Sequence, residues 1–273
     1  MNKLLLSATA LVVLFAACSK DDDNTPQTSA KKYLLSQTSD EDSTVITYDA
    51  ANNMKKIQSW DLKYNSLQTS ELVYENGKLV KKMMSEGEGT LQLFQDFEYN
   101  NAGKLVKVNM YRDNGSKSRY DSLVYNAEGR LTALYEAASV VDSYTMRRKN
   151  AFIWNSKGNI ARHVAVAITD GIESKDSTII DYTYDDKVNY AVRQPEFFVL
   201  DAEDPVSALS ANNITKSVLS YTMSLGSSSV TTIEYTYDED GYPVTHKEII
   251  KTMQGDEVVS TDEYSSKYRY IKK

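Results

Sequence analysis

The sequence predicts an all-β fold: an antiparallel β-meander of about 14 strands, built from hairpin repeats and curled into a barrel-like or partly open rolled sheet. Three observations predict it. One short phrase recurs seven times: an aromatic residue, then Asn, Asp or Glu, a polar stretch, Gly, Lys or Arg, and an apolar residue. Before the aromatic, apolar and polar side chains alternate with period two, as in Phe97-Glu98-Tyr99 and Ile233-Glu234-Tyr235-Thr236-Tyr237. The composition, 20 Tyr against 4 Pro and 11 Gly, favours strands, because a tyrosine ring packs on a half-buried face while its hydroxyl stays wet.

The chain opens with MNKLLLSATALVVLFAA. Residues 1–17 carry one charge, Lys3, ahead of an apolar run that is short for a bilayer span and closes on the small residues Ala16 and Ala17. This pattern reads as a signal peptide. Cys18 follows and is the only cysteine, so it has no internal disulfide partner and needs another use. Leu14-Phe15-Ala16-Ala17-Cys18 resembles a bacterial lipobox, with Phe15 departing from the commoner leucine. The resemblance implies cleavage before Cys18 and acylation, with palmitate-type chains, of its sulfur and its new amino group. Each buried methylene contributes ~0.8 kcal/mol, so several chains hold where one is marginal.

Ser19, Lys20, Asp21, Asp22 and Asp23 form a hydrated acidic run that cannot enter a core. The run also resembles the export signal of Bacteroidota lipoproteins. That implies the outer membrane, lipid-anchored and facing the cell surface, with a periplasm-facing protein as the alternative. Residues 18–32 are therefore expected to be the lipidated cysteine and its tether, and 33–273 a single β-repeat domain. All-β folds of this length are commonly one domain. With the leader removed, the acidic excess of 38 Asp and Glu over 31 Lys and Arg grows by one, which argues against nucleic acid as a partner.

The copies begin at Tyr48, Tyr74, Tyr99, Tyr125, Trp154, Tyr184 and Tyr237, at spacings of 26, 25, 26, 29, 30 and 53 residues. The last gap is two periods wide, so a degenerate copy is expected near Tyr221. In each copy Asn or Asp suits the first turn position, and Gly supplies a positive φ before the next strand re-enters register. Gly103, Gly129, Gly158 and Gly241 fall four residues after the aromatic, and Gly77 three after. The sixth copy, YDDKVNYAVR, fits less well. No long 3.6-residue apolar period appears, and Ala133 to Val141 is the best short helical candidate. Residues 187–217 interrupt the rhythm and are expected to form a loop excursion with one helical turn near Pro205–Ala211. The closing SSKYRYIKK supplies a final strand.

A sheet this long with one apolar face must curl. Its outer face is expected to meet water, because Lys107 would sit in the middle of strand 105–111 where a lipid-facing strand needs an apolar band. The recurring Tyr-(Asp/Asn)-x-x-Gly-(Lys/Arg)-Leu unit resembles the YD repeats of RHS-type shell proteins over most of residues 44–250. With the lipoprotein-like start, the whole resembles Bacteroidota lipoprotein families of unknown function with a porin-like fold. That resemblance implies a curled antiparallel sheet and no established activity.

The residues offer little catalytic chemistry. His163 and His246 share no partner spacing, and no nucleophile elbow, phosphate loop or zinc-protease motif occurs. Carboxylates are plentiful, but nothing singles out a glycosidase pair. Asp238-Glu239-Asp240-Gly241 and Asp185-Asp186 lack the ligand spacing of a calcium loop, so no metal or other cofactor is expected. The seven repeat aromatics, aligned across successive strands, would form a ladder able to receive sugar rings; the plainer reading makes them core residues beside each turn. Lys78, Lys104, Arg130, Lys81 and Lys107 are expected to pair with acidic cross-strand neighbours.

The expectation is a non-enzymatic, surface-tethered binding or structural module of the cell envelope, with a glycan or envelope protein as partner. A carrier of a lipid or other amphiphile in a curled-sheet cavity is the alternative, and a glycoside hydrolase a third.

Overall fold

Alternation in the sequence becomes sixteen strands in the computed structural model, which describes residues 31–273 apart from 141, 142, 224 and 225. The expected signal peptide (1–17), Cys18 and the run from Ser19 to Asp23 lie outside the described residues. In chain order the first eight strands are β1 (Lys32–Ser39), β2 (Asp42–Tyr48), β3 (Met54–Asp61), β4 (Ser66–Glu75), β5 (Lys78–Glu86), β6 (Gln92–Tyr99), β7 (Leu105–Tyr111) and β8 (Lys117–Tyr125). There follow β9 (Leu131–Val140), β10 (Ser143–Trp154), β11 (Ile160–Thr169), β12 (Ile172–Val188), β13 (Asn212–Tyr221), β14 (Ser227–Tyr237), β15 (Pro243–Gln254) and β16 (Glu257–Lys272).

Each strand pairs antiparallel with its chain neighbour, and β1 pairs with β16, so the meander closes into a barrel with no free edge. The count is 16 rather than about 14. The seven copies account for β2 to β15 and the closing segment for β16. The strand hidden from the sequence is β1, whose first residue, Lys32, falls at the end of the expected tether. Lys32 is buried, and its ammonium reaches Asp238 at 2.6 Å.

The repeat turns all lie at one end of the barrel. In the third copy Asn100 N–H donates to Lys104 O, Gly103 N–H donates to Asn100 O, and the Asn100 side-chain oxygen accepts from Ala102 and Lys104 N–H. The side chain thus satisfies donors that the reversal exposes, which is why Asn or Asp recurs there. A bulge falls at the aromatic of every copy, between Val73 and Tyr74 or Val124 and Tyr125 for example, and restores register after the turn.

The sixth copy does not turn. The chain leaves the wall after β12, forms a 3-10 turn (Ala191–Arg193) and two short helices, α1 (Glu196–Leu200) and α2 (Pro205–Leu209), and returns as β13. This detour fills the wide gap, and no degenerate copy stands near Tyr221, which ends β13 at the opposite rim. Over its described residues, 133–140, the helical candidate Ala133–Val141 is strand β9 instead. Pairing with β8 and β10 on both sides outweighs the local helix preference of its alanines.

Cross-strand register sorts the faces. Phe97, Val108, Leu123, Leu134 and Phe152 point inward and are buried; α1 and α2 add Val199 and Val206 to the same cluster. The excursion is therefore a plug packed inside the turn end of the lumen. The outer wall carries ion pairs, including Arg162–Asp181 at 2.6 Å and Lys247–Glu263 at 2.8 Å. Charges so placed interrupt any lipid-facing band.

Candidate functional site in the barrel lumen

The repeat aromatics build the lumen's turn end. Tyr48, Tyr74, Tyr99 and Tyr125 donate their hydroxyls to the carbonyls of Leu34, Met54, Leu79 and Leu105 at 2.6 to 2.9 Å. Trp154 Nε1 donates to Leu131 O at 2.7 Å and Tyr184 to Ile160 O at 2.6 Å. From the third copy to the sixth the acceptor is the first apolar residue after the preceding copy's turn. Tyr237 departs, since its predecessor has no such turn, and donates to the Asp185 carboxylate.

In the second, third and fourth copies the basic residue after the turn caps the next ring. Lys78 lies 5.3 Å from the centroid of Tyr99, Lys104 5.1 Å from Tyr125, and Arg130 5.6 Å from Trp154. These three were expected to pair with acids across the strands. A cation over a ring is stabilised there, and Arg130 also approaches Glu128 of its own turn, at 3.8 Å. Lys107 does approach Glu98, at 3.8 Å, and register sets Lys81 opposite Asp96. The ladder's hydroxyls are thus committed, all but that of Tyr237 to backbone carbonyls, and several of its rings are covered by cations. The turn glycines Gly77, Gly103, Gly129, Gly158 and Gly241 all adopt positive φ, from 74° to 83°.

Polar side chains tie the plug across the lumen. Gln194 donates to Tyr48 Oη at 2.9 Å and accepts from Leu34 N–H at 3.2 Å. Arg119 of β8 pairs with Glu203, between α1 and α2, and Ser210 accepts from Ile160 N–H at 3.2 Å. The acidic turns are spoken for: Asp238 and Asp240 pair with Lys32, while Asp185 accepts from Asn213 at 3.2 Å. Among the described residues no three His, Asp or Glu converge in a way that would hold a metal ion.

Beneath the plug lies a network that sequence reasoning missed. Asp121 is fully buried with neither carboxylate oxygen hydrogen-bonded, and faces Glu136 directly across β8 and β9. Burial pushes its pKa up to about 7, with Glu203 and Glu136 adding to the rise and Arg119 opposing it. Glu136 accepts from Asn150 at 2.7 Å, and Asn150 Oδ1 meets His163 Nε2 at 2.9 Å. His163 stacks on Phe152, 5.1 Å between centroids, and burial lowers its pKa. The available signal was an acid in the apolar phase of an alternating strand: Asp121, Leu123 and Tyr125 share one face.

The plug leans on the β1 to β11 side and leaves a cavity of about 250 Å3 against β13 to β16. Tyr190, Phe197, Tyr235 and Tyr268 line it with Ile214, Ile233, His246 and Asp201. His246 Nδ1 bonds the Tyr268 hydroxyl, and burial lowers the histidine pKa. Burial raises the Tyr190 pKa to about 12 and moves Tyr235 and Tyr268 further in the same direction. Burial thus favours the neutral forms of the histidine and of the three tyrosines.

A porin-like protein from Bacteroides uniformis superposes with a TM-score of 0.56 at 13% identity, covering 89% of this chain and 96% of that one. A porin-like protein from Bacteroides vulgatus gives 0.52 at 13% identity, over 88% of this chain and 99% of the other. The fold is porin-like. A looser match to the TcdB2–TccC3 complex, with a TM-score of 0.34 and 14% identity over 81% of this chain and 9% of that one, supports no argument about the hairpin repeats. No protein-family model and no curated protein matches the sequence.

Proposed function

We propose that this chain is a lipid-anchored protein of the outer membrane, displayed at the cell surface, whose plugged barrel serves as a non-enzymatic binding module. The observation that carries the proposal is the plug. A lumen tied shut at one end by Gln194, Glu203 and Ser210 is a cup rather than a channel, and an outer wall bearing Arg162–Asp181 and Lys247–Glu263 belongs in water. A cup needs another means of attachment. Acylation at Cys18 would supply it, joined through the acidic segment to β1 at the plugged rim.

Side chains at the mouth favour binding over a purely structural role. Leu62, Tyr64, Ile172, Met223 and Val259 stand on or beside its connections and are 49% to 72% exposed, as apolar groups on a docking surface are. The carrier alternative has less support, because the mouth half of the lumen is walled by polar residues such as Thr44, Ser59, Gln68 and Glu86 rather than by a greasy tunnel.

Two measurements test the proposal. Cells fed labelled palmitate should incorporate it into the wild type and not into Cys18→Ser, and protease added to intact cells should remove the protein. An unlabelled wild-type chain, or one untouched by protease until the cells are opened, sinks the anchored, outward-facing reading.

A further inference from the structure

The cavity between plug and wall has a chemistry of its own. We infer that it is a binding site for one neutral, hydroxyl-bearing ring, a single sugar unit presented by a glycan. The inference rests on the reading of the protein as an envelope binding module and names the class of ligand for it.

Lining residues decide the class. No Lys or Arg lines the cavity, so an anionic ligand would go uncompensated. The Tyr190 and Tyr235 hydroxyls have no hydrogen-bond partner among the described residues, though both rings pack against other aromatics. His246 spends Nδ1 on Tyr268, which leaves Nε2 to take the complementary role. Phenol and neutral imidazole groups both donate and accept, and a sugar hydroxyl does the same. An ammonium ion, by contrast, only donates, and would leave the phenol protons unused. The Asp201 carboxylate at the cavity's edge accepts from the Asp204 backbone and has acceptor capacity to spare.

Beside these groups and the polar Asn189, Ser207 and Asn213, the lining presents apolar surface: the rings of Tyr190, Phe197, Tyr235 and Tyr268, and the side chains of Ile214 and Ile233. Such surfaces match the C–H faces of a pyranose ring while the polar groups meet its edge. At about 250 Å3 the space falls below the roughly 300–1,000 Å3 of sites for larger ligands, so it admits one ring and not an oligomer. Asp201 and Ser207 are exposed, so the cavity communicates with the lumen rather than being sealed.

Saturation-transfer NMR and titration of the full-length chain in detergent test this with methyl glycosides of hexoses, 6-deoxyhexoses and N-acetylhexosamines. Tetramethylammonium is the cationic control. At least one glycoside is expected to bind. Tyr235→Phe, which removes one hydroxyl and little else, should weaken it roughly tenfold. His246→Gln should weaken it by a similar factor, and Ile233→Trp, which fills the space, should abolish it.

Should Ile233→Trp fail to fold by circular dichroism, the two conservative variants decide. Binding by no glycoside, tetramethylammonium binding that Tyr235→Phe leaves unchanged, or glycoside affinity indifferent to both conservative variants overturns the assignment. None of these outcomes touches palmitate incorporation or protease access, so failure here is distinguishable from failure of the envelope reading.

Discussion

Replacing Asp121 by Asn offers the sharpest physical test of the lumen network. In the folded chain the Asp121 carboxyl holds its proton up to about pH 7, whereas the ordinary value is 3.8. The native state therefore binds this proton more tightly than the unfolded state does. For an acid shifted upward, stability is full at low pH and falls as pH rises from about 4 to about 7, after which the loss is complete. A displacement of roughly three units at 1.36 kcal/mol each makes the loss about 4 kcal/mol. Asparagine keeps the shape and cannot ionise. The variant should unfold at nearly the wild-type urea midpoint near pH 4 and be the more stable protein, by about 4 kcal/mol, near pH 8. Denaturation curves for both chains at several pH values give the comparison directly. Parallel pH profiles for wild type and variant would refute the claim that Asp121 is a buried, unpaired acid beside Glu136 and Glu203.

Other perturbations separate the ladder, the turns and the plug. Tyr125→Phe removes the bond to Leu105 O and should cost about 1 kcal/mol in urea unfolding, whereas Tyr120→Phe on the outer wall should cost nothing measurable. Gly129→Val forces a branched side chain into φ +81°, against Lys104; a loss of about 2 kcal/mol is expected, against a few tenths for Val124→Ala on the exposed face. Val206→Asp buries a charge in α2, so limited proteolysis should cut between residues 190 and 211 at least tenfold faster while circular dichroism stays β-dominated.

Much of the architecture was legible because it is written in local, repeated terms. A strand's alternation and the spacing of a turn's residues are decided within ten residues, and the chain repeats both, five times with the glycine in place. What escaped was non-local. β1 carries no copy of the repeat to announce it, and Lys32, at the end of the expected tether, finds Asp238 only once β16 lies beside β1. Residues 133–140 have helical local preferences, and two neighbouring strands overrule them. The lumen network joins Arg119, Asp121, Glu136, Asn150, His163 and Glu203 from β8, β9, β10, β11 and the plug, which no spacing rule connects. The aromatic cavity is harder still, since its lining depends on which wall the plug leans against.

The ladder of hydroxyl-to-carbonyl bonds has a consequence for how such a molecule changes over time. Tyr74, Tyr99 and Tyr125 each reach back by the same 20 residues to the hairpin before, and none refers to the ring as a whole. A duplicated or deleted hairpin would therefore splice in with its stitch intact on both sides. Circumference is left to whatever must fit inside. In this chain that is the segment from Tyr190 to Ser210, so gauge and lining are free to vary separately: stitches copied by duplication, bore set by a single insert.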